Sequence, residues 1–342
     1  MRNADKLPNG VVTTTTGRIL TFAEGRRHNN RDYGDVNLVY KRTKTTKSHG
    51  ESPGDWDALR EVVGKGDGTW GNPTPVVDGS TIYLFLSWNH GAYSQNGGDT
   101  LPSGKKTKKI NNSWEGRRHI FLTQSADDGK TWSEPVDMTK QLTPDGWPWD
   151  AVGPGIGITL YSGELVVPAQ RRNIIGRAGS EGTIAQTPDG RLYRNDRASA
   201  DDDYRKVSRG SPSTFSPFVL DKGLPDPACE ASTLLYNKKD ANGPARTLFM
   251  NSAHKSSRRH MRVRISYDGD AKKFNYGRKL SDAPISGVGF EGGYSSLTKT
   301  ADRKVGALVE TDFYQAGGSE KDHRAIVWRR FNLSWILNSP NN

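Results

Sequence analysis

The chain has 342 residues, of which 33% are hydrophobic, and its 38 glycines and mean hydropathy of -0.77 describe a polar, turn-rich protein. Its 49 Lys and Arg against 38 Asp and Glu give a net charge of +11, which favours anionic partners without selecting one class of them. The single cysteine, Cys229, excludes an internal disulfide and a cysteine-based zinc site, and no apolar stretch approaches the ~18 residues of a membrane-spanning helix.

The first ten residues, MRNADKLPNG, lack the apolar core of a signal peptide. They fit either a cytosolic protein or a mature domain with a new start methionine, and of the two we expect a secreted or extracellular protein. Because all-β architectures often run this long as one unit, we expect residues 1–342 to form a single domain.

Apolar runs with a period of two residues alternate with Gly, Asp and Asn, which is the pattern of β-hairpins. In chain order, six hairpins are predicted at residues 11–26, 73–89, 157–172, 183–197, 232–253 and 296–313. No long helix is predicted. Hairpins that recur in this way are typical of a radial array. We therefore predict an all-β fold, a six-bladed β-propeller of four-stranded antiparallel blades, closed by pairing of the C-terminal strand RRFNLSWI with the N-terminal sequence.

The second strand of each hairpin is apolar and then stops at polar side chains, among which are Arg26, Asn89, Arg197, Arg258 and Glu310. In a propeller the equivalent strands of all blades run in the same direction, so these ends meet on one face around the axis. The pattern therefore predicts a polar pocket on that face.

The densest basic run, residues 103–119, is punctuated by Gly and Asn and is predicted to be an exposed loop. A nucleic-acid site would need interleaved aromatic residues or a helix to organise these charges. We therefore predict no nucleic-acid partner.

The most specific local motif is SADDGKTW at residues 125–132. Asp127 and Gly129 supply turn chemistry and local hydrogen bonds, and Trp132 re-enters the sheet as an apolar anchor. This S-x-D-x-G-x-T-W pattern is the Asp-box of the sialidases, and two degenerate copies follow, SPSTFSPF and SYDGDAKKF. Seven further segments resemble those of bacterial-type exo-sialidases, in family order: FAEGRRHNNRDYGDVNLVYKR, GNPTPVVD, GPGIGITLYSGELVVPA, DGRLYRNDR, LPDPACEAS, GGYSSL and FNLSWI.

The resemblance implies three catalytic residues. Tyr294, in GYSSL, matches the nucleophile of the family, Glu181 matches its carboxylate partner, and Asp32, in RDYGD, matches the acid/base. The small residues around Tyr294 are expected to leave its hydroxyl open to substrate.

The resemblance also implies the substrate-binding residues. Arg197 and Arg258 match two arginines that bind the substrate carboxylate, with Arg259 as an alternative to Arg258. Arg26 matches the residue that binds the 4-position of the sugar, and Glu310 matches the carboxylate that orients the first arginine of the triad.

That first arginine is where the chain departs from the family, because strict alignment places Leu7 there and only Arg2 is available to replace it. The C5 substituent of the sugar is left open between N-acetyl, N-glycolyl and the deaminated form. Asn72, Trp88 and Trp147 stand near the corresponding family segments, and plain packing is the alternative for both tryptophans.

These residue types suit a sialoside, whose carboxylate lies on the carbon under attack. An Asp or Glu nucleophile would meet that charge with a repulsion of about 4 kcal/mol at 4 Å and an effective dielectric constant of 20. A neutral phenol avoids it, and tyrosine is the known sialidase exception among glycosidases. Planar arginines bind a carboxylate through paired hydrogen bonds.

We therefore predict a retaining exo-alpha-sialidase that acts on sialylated glycans as a monomer, without metal or cofactor. Two alternatives belong to other classes: a propeller that binds sialosides without cleaving them, and an enzyme acting on another acidic polysaccharide.

Overall fold

The computed structural model describes residues 6–28, 31–64, 66, 68–171, 180–199, 202–240, 243–283, 285, 289–312 and 323–339. These ranges are built of strands and loops, with two short α-helices among them, α1 (Thr139–Leu142) and α2 (Leu333–Leu337). The all-β prediction is confirmed. The predicted C-terminal strand is wrong in its last part, where Asn332 caps α2 by accepting the Trp335 N–H at 2.8 Å.

The first sheet and a small pair beside it contain the strands up to residue 137. These strands are β1 (Lys6–Thr13), β2 (Ile19–Arg26), β3 (Val36–Arg42), β4 (Arg60–Val63), β5 (Gly68–Asp78), β6 (Thr81–His90), β7 (Tyr93–Ser94), β8 (Lys108–Lys109), β9 (His119–Ser125) and β10 (Val136–Asp137). β1 to β4 form one antiparallel group, and β5, β6, β9 and β10 form another. A parallel bridge from Val36 to Thr69 joins the two groups.

The remaining strands form shorter antiparallel sheets. They are β11 (Asp150–Val152), β12 (Ile158–Thr159), β13 (Leu165–Val166), β14 (Ala169–Arg171), β15 (Gly182–Gln186), β16 (Leu192–Asp196), β17 (Tyr204–Ser211), β18 (Thr214–Phe215), β19 (Val219–Pro225), β20 (Ser232–Asn237), β21 (Arg246–Ser252), β22 (Met261–Ser266), β23 (Tyr276–Lys279), β24 (Phe290–Lys299), β25 (Val305–Asp312) and β26 (His323–Phe331). β15 to β19, β20 to β23 and β24 to β26 each form one sheet, while β11 pairs with β14 and β12 with β13. The six predicted hairpins correspond to β1–β2, β5–β6, β12–β13, β15–β16, β20–β21 and β24–β25.

One strand from each group contacts its counterparts in a ring. β1 contacts β5, β5 contacts β12, β12 contacts β15, β15 contacts β20, β20 contacts β24, and β24 contacts β1. Backbone N–H groups also bridge to hydroxyls of the neighbouring sheet, for example from Val11 to Ser296 (3.0 Å), from Thr233 to Thr183 (2.8 Å) and from Leu297 to Ser232 (2.8 Å).

The junction between the last sheet and the first differs from the prediction. Within the described ranges β26 pairs with β25, and β1 pairs with β2. Because β1 is the innermost strand of its own group, it meets the last sheet by packing against β24. From Lys6 onward, where the structure describes the N-terminal sequence, the predicted pairing with the C-terminal strand is therefore not found.

The Asp-box anchors a hairpin against the apolar core of the first sheet. Trp132 packs edge-on against Phe22 and Tyr40, each with a ring separation of 5.8 Å. The Asp127 carboxylate accepts hydrogen bonds from the Thr131 N–H (2.9 Å), the Thr131 hydroxyl (2.7 Å) and the Lys130 N–H (3.0 Å). Burial opposes them, but these bonds together lower the pKa of Asp127 to about 2.

Candidate active site

Five of the predicted site residues come together: Tyr294 and four residues around it. Tyr294 lies in β24 and Glu310 in the neighbouring β25. Glu181 directly precedes β15, Arg197 directly follows β16, and Arg258 lies between β21 and β22. Glu181, Arg197 and Glu310 lie at or near strand ends, whereas Tyr294 lies in the middle of β24.

The Tyr294 hydroxyl, Glu181 and Arg197 form one hydrogen-bonded unit. The Tyr294 hydroxyl donates to Glu181 Oε1. Arg197 Nη1 donates to Glu181 Oε2 at 2.7 Å and also lies 3.4 Å from the tyrosine oxygen. The Arg258 guanidinium carbon is 5.4 Å from the centroid of the Tyr294 ring. The phenol therefore has a carboxylate as its proton acceptor and two guanidinium groups beside it.

The environment of Tyr294 keeps its phenol neutral. The side chain is 8% exposed, and burial, reinforced by the charge of Glu181, raises the pKa of Tyr294 well above its usual value. Arg197 and Arg258 act in the opposite direction. A phenol in this state loses its proton only in concert with a base, a role for which Glu181 is in direct contact.

The two glycines before Tyr294 allow close approach of neighbouring groups. A Cβ at Gly292 would overlap the backbone carbonyl of Arg258, and a Cβ at Gly293, which has a φ of +98°, would overlap the Glu310 carboxylate. Glu310 Oε2 then accepts the Tyr294 N–H at 2.8 Å. The small residues thus let neighbouring groups contact the backbone of β24, and Tyr294 as a whole is largely buried. That its hydroxyl is open to substrate stays a prediction.

Arg26 lies at the end of β2, beside two carboxylates. Its guanidinium donates to Glu24 Oε2 at 2.9 Å and 3.2 Å. Burial lowers the pKa of Arg26, but Glu24, Asp32 and Tyr294 outweigh it and raise the pKa above its usual value. Asp32 is exposed in the loop before β3, and its charge acts on Arg26 and on a second arginine, Arg118. The structure thus places the predicted acid/base and the predicted 4-position arginine in one electrostatic neighbourhood.

Arg118 is a buried member of this neighbourhood that the sequence reasoning missed. Its guanidinium donates to Asn89 Oδ1 and to Asn72 Oδ1, both at 3.1 Å, and stacks on Trp149 at 4.7 Å. Glu24 was missed as well. It links Arg26 to Arg118, because it accepts hydrogen bonds from Arg26 and also accepts the N–H of Asn72 at 2.9 Å, and Asn72 in turn contacts Arg118. Arg118 closes the basic run that was interpreted as an exposed loop. Its position directly before the apolar strand β9 was the available signal.

The other residues named from the sequence lie outside the group around Tyr294 or outside the described residues. Arg259 donates to the Ser257 hydroxyl at 2.7 Å, so Arg258 is the arginine that faces Tyr294. Trp88 packs among Trp70, Phe121 and other aromatic rings. The backbone of Leu7 lies in β1, opposite Glu24. Arg2 lies outside the described residues.

Among the described residues, no three His, Cys, Asp or Glu side chains are grouped so that they could bind a metal ion. No helix in the described part of the chain is long and apolar enough to cross a membrane.

The chain is similar in sequence and in fold to known sialidases. Residues 10–196 match the family described as BNR repeat-like domain. The chain is 64% identical over 368 residues to an exo-alpha-sialidase of Aspergillus fumigatus, with all of this chain and 90% of that relative covered. It is 63% identical over 367 residues to an exo-alpha-sialidase of Arthroderma benhamiae, covering all of this chain and 89% of the relative. The solved structure of the Hadza microbial sialidase Hz136 superposes with a TM-score of 0.74 at 24% identity, covering 97% of this chain and 66% of that one.

Proposed function

The chain belongs to the sialidase family, a family of glycoside hydrolases, and from that premise we propose that it is a retaining exo-alpha-sialidase that removes terminal sialic acids from glycans through a tyrosyl intermediate. The observation that carries this proposal is the contact of the Tyr294 hydroxyl with Glu181, beside Arg197 and Arg258. A binding protein has no need for a buried phenol with a base at its hydroxyl.

In the first step the phenol attacks the anomeric carbon. The Tyr294 oxygen forms a bond to that carbon while its proton passes to Glu181. The bond to the leaving oxygen breaks, and Asp32 supplies the proton which that oxygen takes up. The neutral phenol approaches the substrate carboxylate without the repulsion that a carboxylate nucleophile would meet.

In the second step water replaces the tyrosine. Asp32, now ionised, takes a proton from water, whose oxygen attacks the same carbon from the face that the leaving group occupied. The Tyr294 oxygen leaves and regains its proton from Glu181. Two displacements at one carbon give net retention of configuration.

The arginines bind the substrate and its developing charge. Arg197 and Arg258 are positioned to hold the carboxylate by planar hydrogen bonds, and Arg26 is assigned to the 4-position of the sugar. Arg2 remains our candidate for the third arginine, with Glu310 as the carboxylate that orients it. The C5 substituent stays open.

The proposal extends to the architecture of the protein and to its setting. The ring of contacts among β1, β5, β12, β15, β20 and β24 supports a single-domain, six-bladed β-propeller. In it the first sheet would supply two blades, the pairs β11–β14 and β12–β13 one blade, and the three remaining sheets one blade each. We propose a secreted monomer acting on sialylated glycans, with no nucleic-acid or membrane partner and no cofactor in the reaction.

The test is release of a fluorogenic aglycone from α-ketosides of N-acetylneuraminic acid and of its deaminated analogue. Tyr294→Phe should lower kcat by at least about 10³-fold, because the nucleophilic oxygen is removed. Tyr40→Phe is the matched control, a tyrosine of β3 that is 3% exposed and packs against Phe22. A parent protein that binds either sugar and releases nothing would refute the proposal in favour of a sialoside-binding propeller.

A further inference from the structure

The segment between β19 and β20, residues 226–231, contacts β24 next to Tyr294. Its Glu230 is 2% exposed. Glu230 Oε2 accepts the N–H of Ser295, the residue after Tyr294, at 2.8 Å. Glu230 Oε1 is buried and has no hydrogen-bond partner among the described residues; it lies 3.6 Å from where a Cβ on Gly155 would stand. One oxygen therefore fixes the backbone of the strand that carries Tyr294, and the other is buried near Gly155.

The charges around Glu230 are mostly of its own sign. Glu181, before β15, and Glu310, on β25, both act on it unfavourably, and Arg205, on β17, is the cation that acts in its favour. Glu230 contacts β24 at Ser295, the residue next to Tyr294. The Arg205 guanidinium, however, is bonded to Asn195, to Asp226 Oδ1 and to the Cys229 carbonyl. A buried carboxylate without a cation in contact is costly when ionised, and burial accordingly raises the pKa of Glu230 well above its usual value.

We propose that Glu230 is a positioning residue of the reaction that works as a neutral carboxylic acid: it holds the Ser295 N–H, and through it the Tyr294 phenol, without adding a third negative charge beside Glu181 and Glu310. The proton then resides on Oε1, since Oε2 accepts the backbone bond. This inference rests on the proposed sialidase activity. Neutrality matters because the site has to bind a carboxylate, and every further anion near Arg197 and Arg258 weakens that attraction.

The same segment also contacts the chain beside Arg197. Asp226 Oδ2 accepts the N–H of Ala198, the residue after Arg197, at 2.7 Å. Arg205 and Asp226 are both fully buried and lie 3.2 Å apart. The ion pair of Asp226 with Arg205 thus anchors the segment. The carboxyl group of Asp226 also holds the backbone beside Arg197, and that of Glu230 holds the backbone beside Tyr294.

The experiment compares the parent protein with Glu230→Gln and Glu230→Ala. The amide is uncharged and its oxygen still accepts the Ser295 N–H, so Glu230→Gln should keep kcat within about threefold and leave KM unchanged. Glu230→Ala leaves that N–H unpaired and should lower kcat about tenfold or more, because the phenol is misplaced. Glu291→Gln is the matched control: it removes a carboxyl group on β24 that is 3% exposed and pairs with Arg329 instead, and KM should not change.

The protonation state is read from unfolding as a function of pH. A carboxyl whose folded pKa is raised contributes no penalty below its unfolded pKa, about 4.3, and costs stability as pH rises from there to the folded pKa. Relative to Glu230→Gln, the folding equilibrium constant of the parent should therefore fall about tenfold per pH unit in that window.

Parallel stability curves for the parent and Glu230→Gln would overturn the neutral state. A loss of kcat of about a hundredfold in Glu230→Gln at every pH would overturn it as well, since an ionised carboxylate would then be required. A stable, inactive parent would refute the proposed function instead, and the unfolding comparison would still decide the state of Glu230.

Discussion

Replacing Glu181 by Gln separates its proposed role as a base from a role in binding. Glu181 accepts one hydrogen bond from the Tyr294 hydroxyl and one from Arg197 at 2.7 Å. An amide keeps the size and one acceptor oxygen but takes no proton from the phenol. General-base contributions are about 10²- to 10⁴-fold, so kcat should fall by that factor, equivalent to about 2.7 to 5.4 kcal/mol of transition-state stabilisation.

The Michaelis constant should respond differently. Glu181 holds Arg197 in an ion pair whose side chains are 13% and 25% exposed, and the substrate carboxylate competes with it for that guanidinium. Without this competition, Glu181→Gln should bind substrate as well as the parent or better, so KM should stay equal or fall.

Initial rates with the fluorogenic α-ketoside over a range of substrate concentrations give both constants. The reasoning is refuted if KM rises tenfold while kcat is unchanged. That outcome would make Glu181 a residue that orients Arg197 and not the base for Tyr294.

Two further substitutions test the scaffold. Asp127→Asn should destabilise the protein by about 1 kcal/mol at neutral pH, a small value because the carboxylate is exposed. Its folded pKa is depressed to about 2, so this stabilisation is present above the unfolded pKa and should vanish as the pH falls from about 4 to about 2; a difference in urea midpoint that is constant with pH would contradict it. Arg205→Ala should cost about 3 to 5 kcal/mol in urea unfolding, because Asp226 is left buried without its cation. A loss below about 1 kcal/mol would show that this pair is not what anchors residues 226–231.

Hairpins and the Asp-box could be predicted because they depend on local features. Alternation of apolar residues and turn chemistry act over a few residues, and the six hairpins were found at the predicted positions. The contact of Tyr294 with Glu181 joins residues 113 positions apart, and it was reached through the resemblance to a family and the common direction of strand ends.

Burial could not be predicted for charged residues, because it depends on what packs above them. Arg118 sits at the end of a basic run and is 6% exposed, and Glu230 follows the only cysteine and is 2% exposed. The apolar strand that begins after Arg118 was the one local signal of its burial, and nothing in the immediate sequence distinguishes Glu230 from a surface charge. The end of the last strand was misjudged for a different reason, since Asn332 starts a helix where the apolar pattern of FNLSWI also fits a strand.

The hydroxyl bridges between sheets have a further consequence for self-association. A strand without a neighbour on one side presents a row of N–H groups to which a strand of another molecule can add. On β24 three alternate N–H groups are occupied by side chains, with Gly293 donating to Ser252 Oγ (2.9 Å), Ser295 to Glu230 and Leu297 to Ser232 Oγ (2.8 Å). Side chains therefore satisfy these N–H groups of β24, and no neighbouring strand is needed to pair with them. The strand that carries Tyr294 is thereby closed to intermolecular β-pairing by the same groups that fix its place.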